Sequence, residues 1–236
     1  MNDLAAAMDS TLTEPPLEPS RSRREEWINT LTHGMGLVLS LIAGGLLCWR
    51  AAESELLFPL VASLIYTATL ICVYLASTLS HAIQSEAWRF RWRVWDQGLI
   101  YLLIAGSYTG FSLPLLETAR NRSLLVLVWT LAFACFIHRT IVRANSDRNG
   151  TVSYVALGWF PIFTFYGSVS LIPENAIFWL VAGGIAYTTG VVFLVLDQRV
   201  PYFHSIWHLL VILGSGCHFL GIYEIVGSMG SPGGEK

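Results

Sequence analysis

Charged residues are scarce in this chain, and neither sign is in clear excess. Only 13% of its 236 residues are Asp, Glu, Lys or Arg, whereas about 25% is usual in a soluble domain. The mean hydropathy is +0.55, which is typical of a protein that lies in a bilayer. A formal net charge of −2 argues against nucleic acid as a partner, because that function requires a concentrated basic surface.

Cysteine motifs, a signal peptide and internal repeats are also lacking. Cys48, Cys72, Cys135 and Cys217 are scattered through apolar stretches without CxxC spacing, so neither a disulfide framework nor a thiolate metal site is indicated. We expect all four to be buried, inert thiols. No apolar stretch precedes Trp27, which argues against a signal peptide, and no repeat with a period of about 20 to 50 residues recurs.

Long apolar segments dominate the chain after a polar beginning. Residues 1–24 are polar, proline-containing and arginine-rich at their end, which predicts a disordered cytoplasmic tail. A transmembrane domain at 25–227 and a short C-terminal tail at 228–236 follow. The apolar segments lie at about 28–50, 56–80, 98–116, 123–142, 152–172, 175–196 and 203–227. Most reach the roughly 20 residues that a helix needs to cross a bilayer, so we predict an all-α integral membrane bundle of seven transmembrane helices.

Basic residues predict the orientation of this bundle. With the N-terminus inside, the inner segments carry Arg21, Arg23, Arg24, Arg89, Arg91, Arg93, Arg139, Arg143, Arg148 and Arg199. The outer segments then carry only Arg50, Arg120, Arg122 and Lys236. The positive-inside rule therefore favours an inside N-terminus and an outside C-terminus. Pro114 and Pro161 fall inside the third and fifth segments, where we expect kinks and not breaks.

Five polar residues stand at the ends of three apolar segments. Ser77 and His81 close the second segment, Asp96 opens the third, and His204 and His208 open the seventh. In the predicted topology all five reach the inner leaflet, and each pair spaced by four residues shares one helix face. Ionisable groups at the edge of hydrocarbon usually mark a site. Three imidazoles with one open position are also what a catalytic zinc site uses, so we predict a metal centre here.

Simpler interpretations apply to the other polar and small residues. His33, His138 and His218 have no partner at ligand spacing and are expected to be packing residues. A haem held by two of the site histidines is an alternative, but it would leave the third histidine and Asp96 without a role. The glycines at 106, 110, 183, 184 and 190 are expected to allow close helix packing.

A polar stripe precedes the first apolar segment. Glu25, Asn29 and His33 are spaced by four residues, and Glu26 lies beside them. One interpretation is a solvated, capped helix entrance near the inner headgroups. The other is that Glu26, Asn29 and His33 orient a metal-bound imidazole or close its cavity.

Three motifs resemble the haemolysin III family. These are SxxxH at 77–81, the segment DQGLIYLLIAGSYTGF at 96–111 and HxxWHxxV at 204–211, and the opening EEWINTLTHG at 25–34 is similar to the bacterial branch. That family belongs to a superfamily with the progestin and adipoQ receptors and the alkaline ceramidases. Bacterial members commonly have histidine after the aspartate, where Gln97 stands, and Thr-Pro near the end of this stretch, where Gly110 stands.

The resemblance implies a role for each site residue. His81, His204 and His208 would bind Zn2+ directly, Asp96 would reach the metal through a water, and Ser77 would lie beside that water. Asp96 would then move protons and Ser77 would assist an oxyanion. The implied activity is zinc-dependent hydrolysis of a lipid amide or ester, with membrane lipids as substrate, in a bacterial inner membrane.

Two other function classes remain open at this point. The same zinc would also suit a non-catalytic receptor or regulator of membrane homeostasis, in which it clamps helices together. A pore-forming cytolysin, which the family's name implies, is the least supported, since no segment carries the regular polar face of a channel lining.

Overall fold

The computed structural model describes residues 21–142, 150–160, 162–165 and 167–229. Every regular element among them is helical. The α-helices are α1 (Arg23–Glu53), α2 (Leu57–Ala82), α3 (Glu86–Ser112), α4 (Ala119–Ile137), α5 (Gly150–Trp159), α6 (Ile162–Phe165), α7 (Glu174–Leu196) and α8 (Phe203–Met229). Two 3-10 turns at Leu113–Leu115 and Val169–Leu171 and a π-helical turn at His138–Val142 complete the described elements.

Six of the described helices are long and apolar enough to cross a membrane. They are α1, α2, α3, α4 with its π-helical turn, α7 and α8. Their outer faces carry large apolar side chains, as Leu31, Val38 and Ile42 of α1 show by being more than half exposed. A helix in a soluble protein would turn such a face to the core, whereas lipid contact favours it on the outside.

Local signals explain where the first helix begins. The Ser22 hydroxyl accepts a hydrogen bond from the Glu25 backbone at 3.2 Å, and the Glu25 carboxylate accepts one from the Ser22 backbone at 3.0 Å. This reciprocal cap satisfies two amides that the first turn would otherwise leave unpaired. Further along α1, Glu26 contacts α2, and Asn29 and His33 contact α8.

Helix packing places α3 at the centre of the bundle. α1 packs against α2 and α8, α2 packs against α3, and α7 packs against α8, while α3 also contacts α4, α5 and α8. α3 is the most enclosed of the six long helices.

Most of the glycines singled out in the sequence lie at close helix contacts, as predicted. An added Cβ would clash with a neighbouring side chain at 106, 110, 183 and 190. Gly184 differs, since a Cβ there would meet Trp159 only at 3.6 Å, which is an ordinary contact.

Two segments differ from the sequence prediction. α3 begins at Glu86, not near residue 98. The prediction missed its first turns because they mix charged and apolar residues and are less apolar than the rest of the helix. The fifth segment is not one kinked helix: α5 ends at Trp159 and a short helix begins at Ile162, with Pro161 itself outside the described residues. Pro114 lies in a 3-10 turn that follows the end of α3, so the expected kink is wrong there too.

Two expectations about burial are also wrong. Of the cysteines only Cys217 is buried, while Cys72 is exposed and the other two are partly exposed; a thiol is apolar enough to face lipid. His138 is exposed at the start of the π-helical turn, so it is not a packing residue. Most of the two predicted tails, residues 1–20 and 230–236, lies outside the described residues.

Candidate metal centre

Three histidines from two helices converge at one end of the bundle. His81 lies in the last turn of α2, and His204 and His208 lie at the start of α8. One ligand nitrogen from each ring lies within 4.8 Å of the other two. The Nε2 atoms of His81 and His204 are 3.2 Å apart, and His208 is only 1% exposed. The sequence prediction that these three residues share a site agrees with this geometry.

Two of these rings are held by carboxylates. His81 Nδ1 lies 2.7 Å from Glu26 Oε2, and His204 Nδ1 lies 2.7 Å from Asp197 Oδ2. A carboxylate oxygen accepts, so Nδ1 carries the proton in both rings. The Nε2 lone pairs therefore point into the space between the helices, which is the arrangement that a metal ligand needs.

The third ring is held by a hydroxyl. His208 Nδ1 lies 3.1 Å from Thr32 Oγ1, and that hydroxyl also lies 2.9 Å from the Ile28 carbonyl oxygen of its own helix. Since Thr32 has one proton and donates it to the carbonyl, it accepts from His208 Nδ1. This contact gives His208 the same tautomer as the other two rings and leaves its Nε2 unprotonated.

The donor set fits a divalent metal ion. Two unprotonated nitrogens facing one another at 3.2 Å repel unless a cation lies near both. Tetrahedral Zn2+ with Zn–N distances of about 2.0–2.1 Å would hold two ligand nitrogens about 3.3 Å apart. The separation of His81 and His204 is therefore close to what such an ion requires.

Arginine side chains surround the supporting carboxylates. Arg21 lies 2.5 Å from Asp197 Oδ2 and 3.2 Å from His204 Nδ1, so it shares the carboxylate with the histidine. Burial raises the pKa of the Asp197 carboxyl, and the Arg21 guanidinium opposes that rise by stabilising the carboxylate. On the other side Arg93 lies 3.2 Å from Glu26 Oε1, which fixes the carboxylate that holds His81.

Ser77 and Asp96 open onto the same cavity as His81 and His204. This cavity has a volume of about 770 Å³. Ser77 Oγ is buried without a hydrogen bond of ordinary length within the described part of the chain, and it interacts with the Asp96 carboxyl beside it. Asp96 lies in the third turn of α3 and is partly exposed to the cavity. The two predicted catalytic residues thus stand beside the histidine cluster.

The polar stripe of α1 separates into different roles. Glu25 caps the helix and accepts from the Tyr202 backbone at 2.8 Å. Asn29 Oδ1 accepts from Ser205 Oγ at 2.6 Å inside the core and so ties α1 to α8. His33 stacks on His208 with ring centroids 3.5 Å apart. The capped helix entrance therefore describes Glu25, whereas His33 lies against a histidine of the cluster, as the second interpretation requires.

Three residues of the site were not anticipated. Asp197 precedes α8 by six residues and reaches His204 across a turn, so no helical spacing pointed to it. Thr32 was not singled out, because a threonine hydroxyl in a helix commonly donates to a backbone carbonyl of the same helix. Arg21 was assigned only to a polar tail. Of these three residues, only Thr32 could have been noticed in the sequence. It lies three residues after Asn29 and one before His33, so it is close to the polar stripe of α1.

A second, apolar cavity adjoins the first. It has a volume of about 290 Å³ and lies between α3, α5, α7 and α8. Ile100, Leu103, Tyr154, Tyr187 and Val191 line both cavities. Apolar space therefore continues from the histidine cluster towards the middle of the bundle.

Comparison with known proteins gives consistent matches along most of the chain. The Haemolysin-III related family model matches residues 21–219. Hemolysin-3 of Bacillus cereus is 33% identical over 208 residues, which cover 88% of this chain and 94% of that protein. The Hemolysin-3 homolog of Bacillus subtilis (strain 168) is 33% identical over 199 residues, 83% of this chain and 92% of that protein. The human Monocyte to macrophage differentiation factor is 24% identical over 212 residues, 85% of this chain and 84% of that protein. No solved structure matches.

Proposed function

The chain belongs to the haemolysin III family and is a multi-pass membrane protein, and on that premise we propose that it is a zinc-dependent hydrolase of a lipid amide or ester. The observation that carries the proposal is that the Nδ1 atoms of three histidines each meet a hydrogen-bond acceptor, while the three rings bring ligand nitrogens within 4.8 Å of one another. The proposal includes seven membrane spans with the N-terminus inside. The Bacillus relatives fit a bacterial cell membrane.

The metal ligands in this proposal are His81, His204 and His208, with Zn2+ as the ion. Bound Zn2+ supplies an open coordination position and lowers the pKa of a water towards about 7. Glu26 and Asp197 hold two of the rings in orientation and raise their basicity.

Asp96 and Ser77 carry the proton and charge movements. The Asp96 carboxylate accepts a proton from the attacking water and returns it to the leaving amine or alkoxide. The Ser77 hydroxyl, which lies beside the Asp96 carboxyl, donates to the carbonyl oxygen as negative charge develops there. Arg93, one turn before Asp96 on α3, fixes Glu26 and keeps that carboxylate on His81.

The substrate enters from the membrane. Both cavities are lined by residues of membrane-crossing helices, and the apolar one adjoins the histidine cluster. An acyl chain in the apolar cavity would bring the amide or ester of a lipid towards Ser77 and Asp96. Because such a chain is already surrounded by hydrocarbon in the bilayer, its transfer into the cavity costs little free energy.

The test compares wild type with Asp96→Asn on ceramide-like amides and on phospholipids. We expect product release by wild type, and its loss in the variant while the zinc content stays unchanged. Asn keeps the size of Asp96 and removes its ability to accept a proton. Turnover that persists in Asp96→Asn would contradict the assigned role, and no turnover by wild type on any of these lipids would contradict the hydrolase.

A non-catalytic regulator is the second candidate, and one observation favours it. The histidine cluster and its hydrogen bonds join α1, α2, α8 and the turn before α8, so zinc there would clamp four segments. Absence of turnover together with a large fall in thermal stability after zinc removal would support this function. A pore is the third candidate, and leakage of liposomes that persists in His204→Ala would support it.

A further inference from the structure

We propose that Glu25 is a positioning residue of the metal centre, because its carboxylate holds Tyr202, the residue before α8, in a backbone conformation that sets the place of His204. This inference rests on the proposed function, since it concerns a ligand of the same ion. It gives Glu25 a role beyond the cap of α1, and it goes beyond the contacts that the histidine rings themselves make.

The backbone at Tyr202 has an unusual conformation. Its φ is +64°, and among the described residues Glu55 is the only other residue besides glycine with a positive φ. A side chain as bulky as tyrosine rarely adopts this left-handed region, because its Cβ approaches the backbone too closely. Such a conformation persists where the surrounding structure enforces it, and it is frequent at functional sites. Tyr202 directly precedes Phe203, the first residue of α8, so this conformation sets the direction in which α8 begins.

The Glu25 carboxylate holds this conformation from another helix. Its Oε1 accepts a hydrogen bond from the Tyr202 backbone N–H at 2.8 Å. Its Oε2 accepts one from the Ser22 backbone at 3.0 Å and one from the Ser22 hydroxyl at 2.9 Å. Both oxygens are therefore occupied, and the carboxylate is fixed between the start of α1 and the turn before α8. A carboxylate makes a stronger hydrogen bond than a neutral acceptor does, which allows it to offset the strain at Tyr202.

A second contact from the start of α1 reaches the other end of the same turn. Arg21 lies 2.5 Å from Asp197 Oδ2, and Asp197 is the residue that follows α7. Asp197 Oδ2 also lies 2.7 Å from His204 Nδ1. The turn between α7 and α8 is therefore held at both ends, by Arg21 at Asp197 and by Glu25 at Tyr202. Since His204 is the second residue of α8, a rotation about the Tyr202 backbone would move it away from Asp197.

His208 depends much less on this turn. It lies one helical turn further along α8, and Thr32 Oγ1 lies 3.1 Å from its Nδ1. Its ring also stacks on the ring of His33. Loss of the Glu25 contact should therefore displace His204 selectively. That displacement weakens metal binding without unfolding the helix that carries two of the three ligands.

The test measures zinc affinity in variants of Glu25 and of its partners. Metal-free protein in detergent is titrated with zinc against a competing chelator. We expect Glu25→Ala to lower the affinity roughly threefold to tenfold, the size for the loss of one hydrogen bond. Ser22→Ala is the matched control, because it removes the hydroxyl partner of the other carboxylate oxygen and leaves the Tyr202 contact in place. It should bind zinc as wild type does.

Glycine at position 202 separates the backbone conformation from other effects of Glu25. Glycine adopts a positive φ without steric cost, so Glu25→Ala with Tyr202→Gly should recover much of the affinity that Glu25→Ala alone loses. Glu25→Ala with Tyr202→Ala removes the same ring but keeps a Cβ, so it should not recover the affinity. Because the Tyr202 side chain is exposed, its loss disturbs little packing.

Three results would overturn the inference. They are unchanged zinc affinity in Glu25→Ala, an equal loss in Ser22→Ala, and equal recovery by glycine and alanine at position 202. Zinc binding without hydrolysis would contradict only the proposed enzyme. Hydrolysis with equal zinc affinity in wild type and Glu25→Ala would contradict only this inference, and a wild type that binds no zinc would contradict both.

Discussion

Replacing Thr32 by valine removes the oxygen that accepts from His208 Nδ1 and leaves the shape of the side chain almost unchanged. In the protein this contact is 3.1 Å long, and the hydroxyl is itself oriented by the Ile28 carbonyl at 2.9 Å. With valine, His208 is free to move its proton to Nε2. Zinc binding at Nε2 then requires the proton to return to Nδ1, where the buried N–H has no acceptor.

The size of the effect follows from that unpaired group. A buried donor without a partner costs about 1–3 kcal/mol, and about 1.4 kcal/mol corresponds to a tenfold change in an equilibrium constant. We therefore expect zinc affinity to fall about 10- to 100-fold, which is also the usual effect of losing a group that supports a metal ligand. Thr32→Ser keeps the hydroxyl and should bind zinc nearly as wild type does.

The measurement is a zinc titration against a competing chelator, on protein purified in detergent and stripped of metal. Helical content by circular dichroism serves as the folding control for both variants. Equal zinc affinity for Thr32→Val, Thr32→Ser and wild type would refute the assignment of the His208 tautomer. It would also remove one of the three contacts on which the proposed function depends.

Three further predictions follow from contacts in the same bundle. Asp197→Asn should lower zinc affinity about 10- to 100-fold at unchanged helical content, because it removes the charge that holds His204; unchanged affinity by chelator competition would contradict this. Gly110→Ala should lower stability by about 1–3 kcal/mol in thermal unfolding, since its Cβ would meet Ile222 at 2.6 Å, whereas Gly45→Ala, with nothing within 4 Å, should not. Asn29→Ala should reduce the melting temperature by removing the acceptor of a buried hydroxyl on α8, and an unchanged value would show that this bond adds little.

The sequence predicted the helical architecture and the grouping of the site residues because both depend on simple periodicities. The lengths of the apolar segments predicted the six long helices, and the spacing by four residues placed His204 and His208 on one face of α8. Where local chemistry competes with hydropathy, the prediction failed. The start of α3 carries arginines and tryptophans and was excluded from the apolar segment, yet it is helical from Glu86.

Most of the supporting contacts of the site could not be predicted, because they join separate elements and follow no spacing rule. Asp197 meets His204 from a turn, and Thr32 meets His208 from another helix. Glu26 is the exception, because one interpretation of the polar stripe already named it as a residue that orients a metal-bound imidazole, and it contacts His81. The three histidines are enough to predict a metal site from the sequence. The residues that hold those histidines in orientation become known only when the helices are packed together.

Direct metal analysis of the purified protein tests the central claim most simply. We predict one zinc ion per chain in wild type and loss of that zinc in His81→Ala. His138→Ala, which changes an exposed histidine outside the cluster, should retain it. Protein that folds and is isolated without chelators but holds no metal would contradict the account, and so would equal zinc content in the two variants.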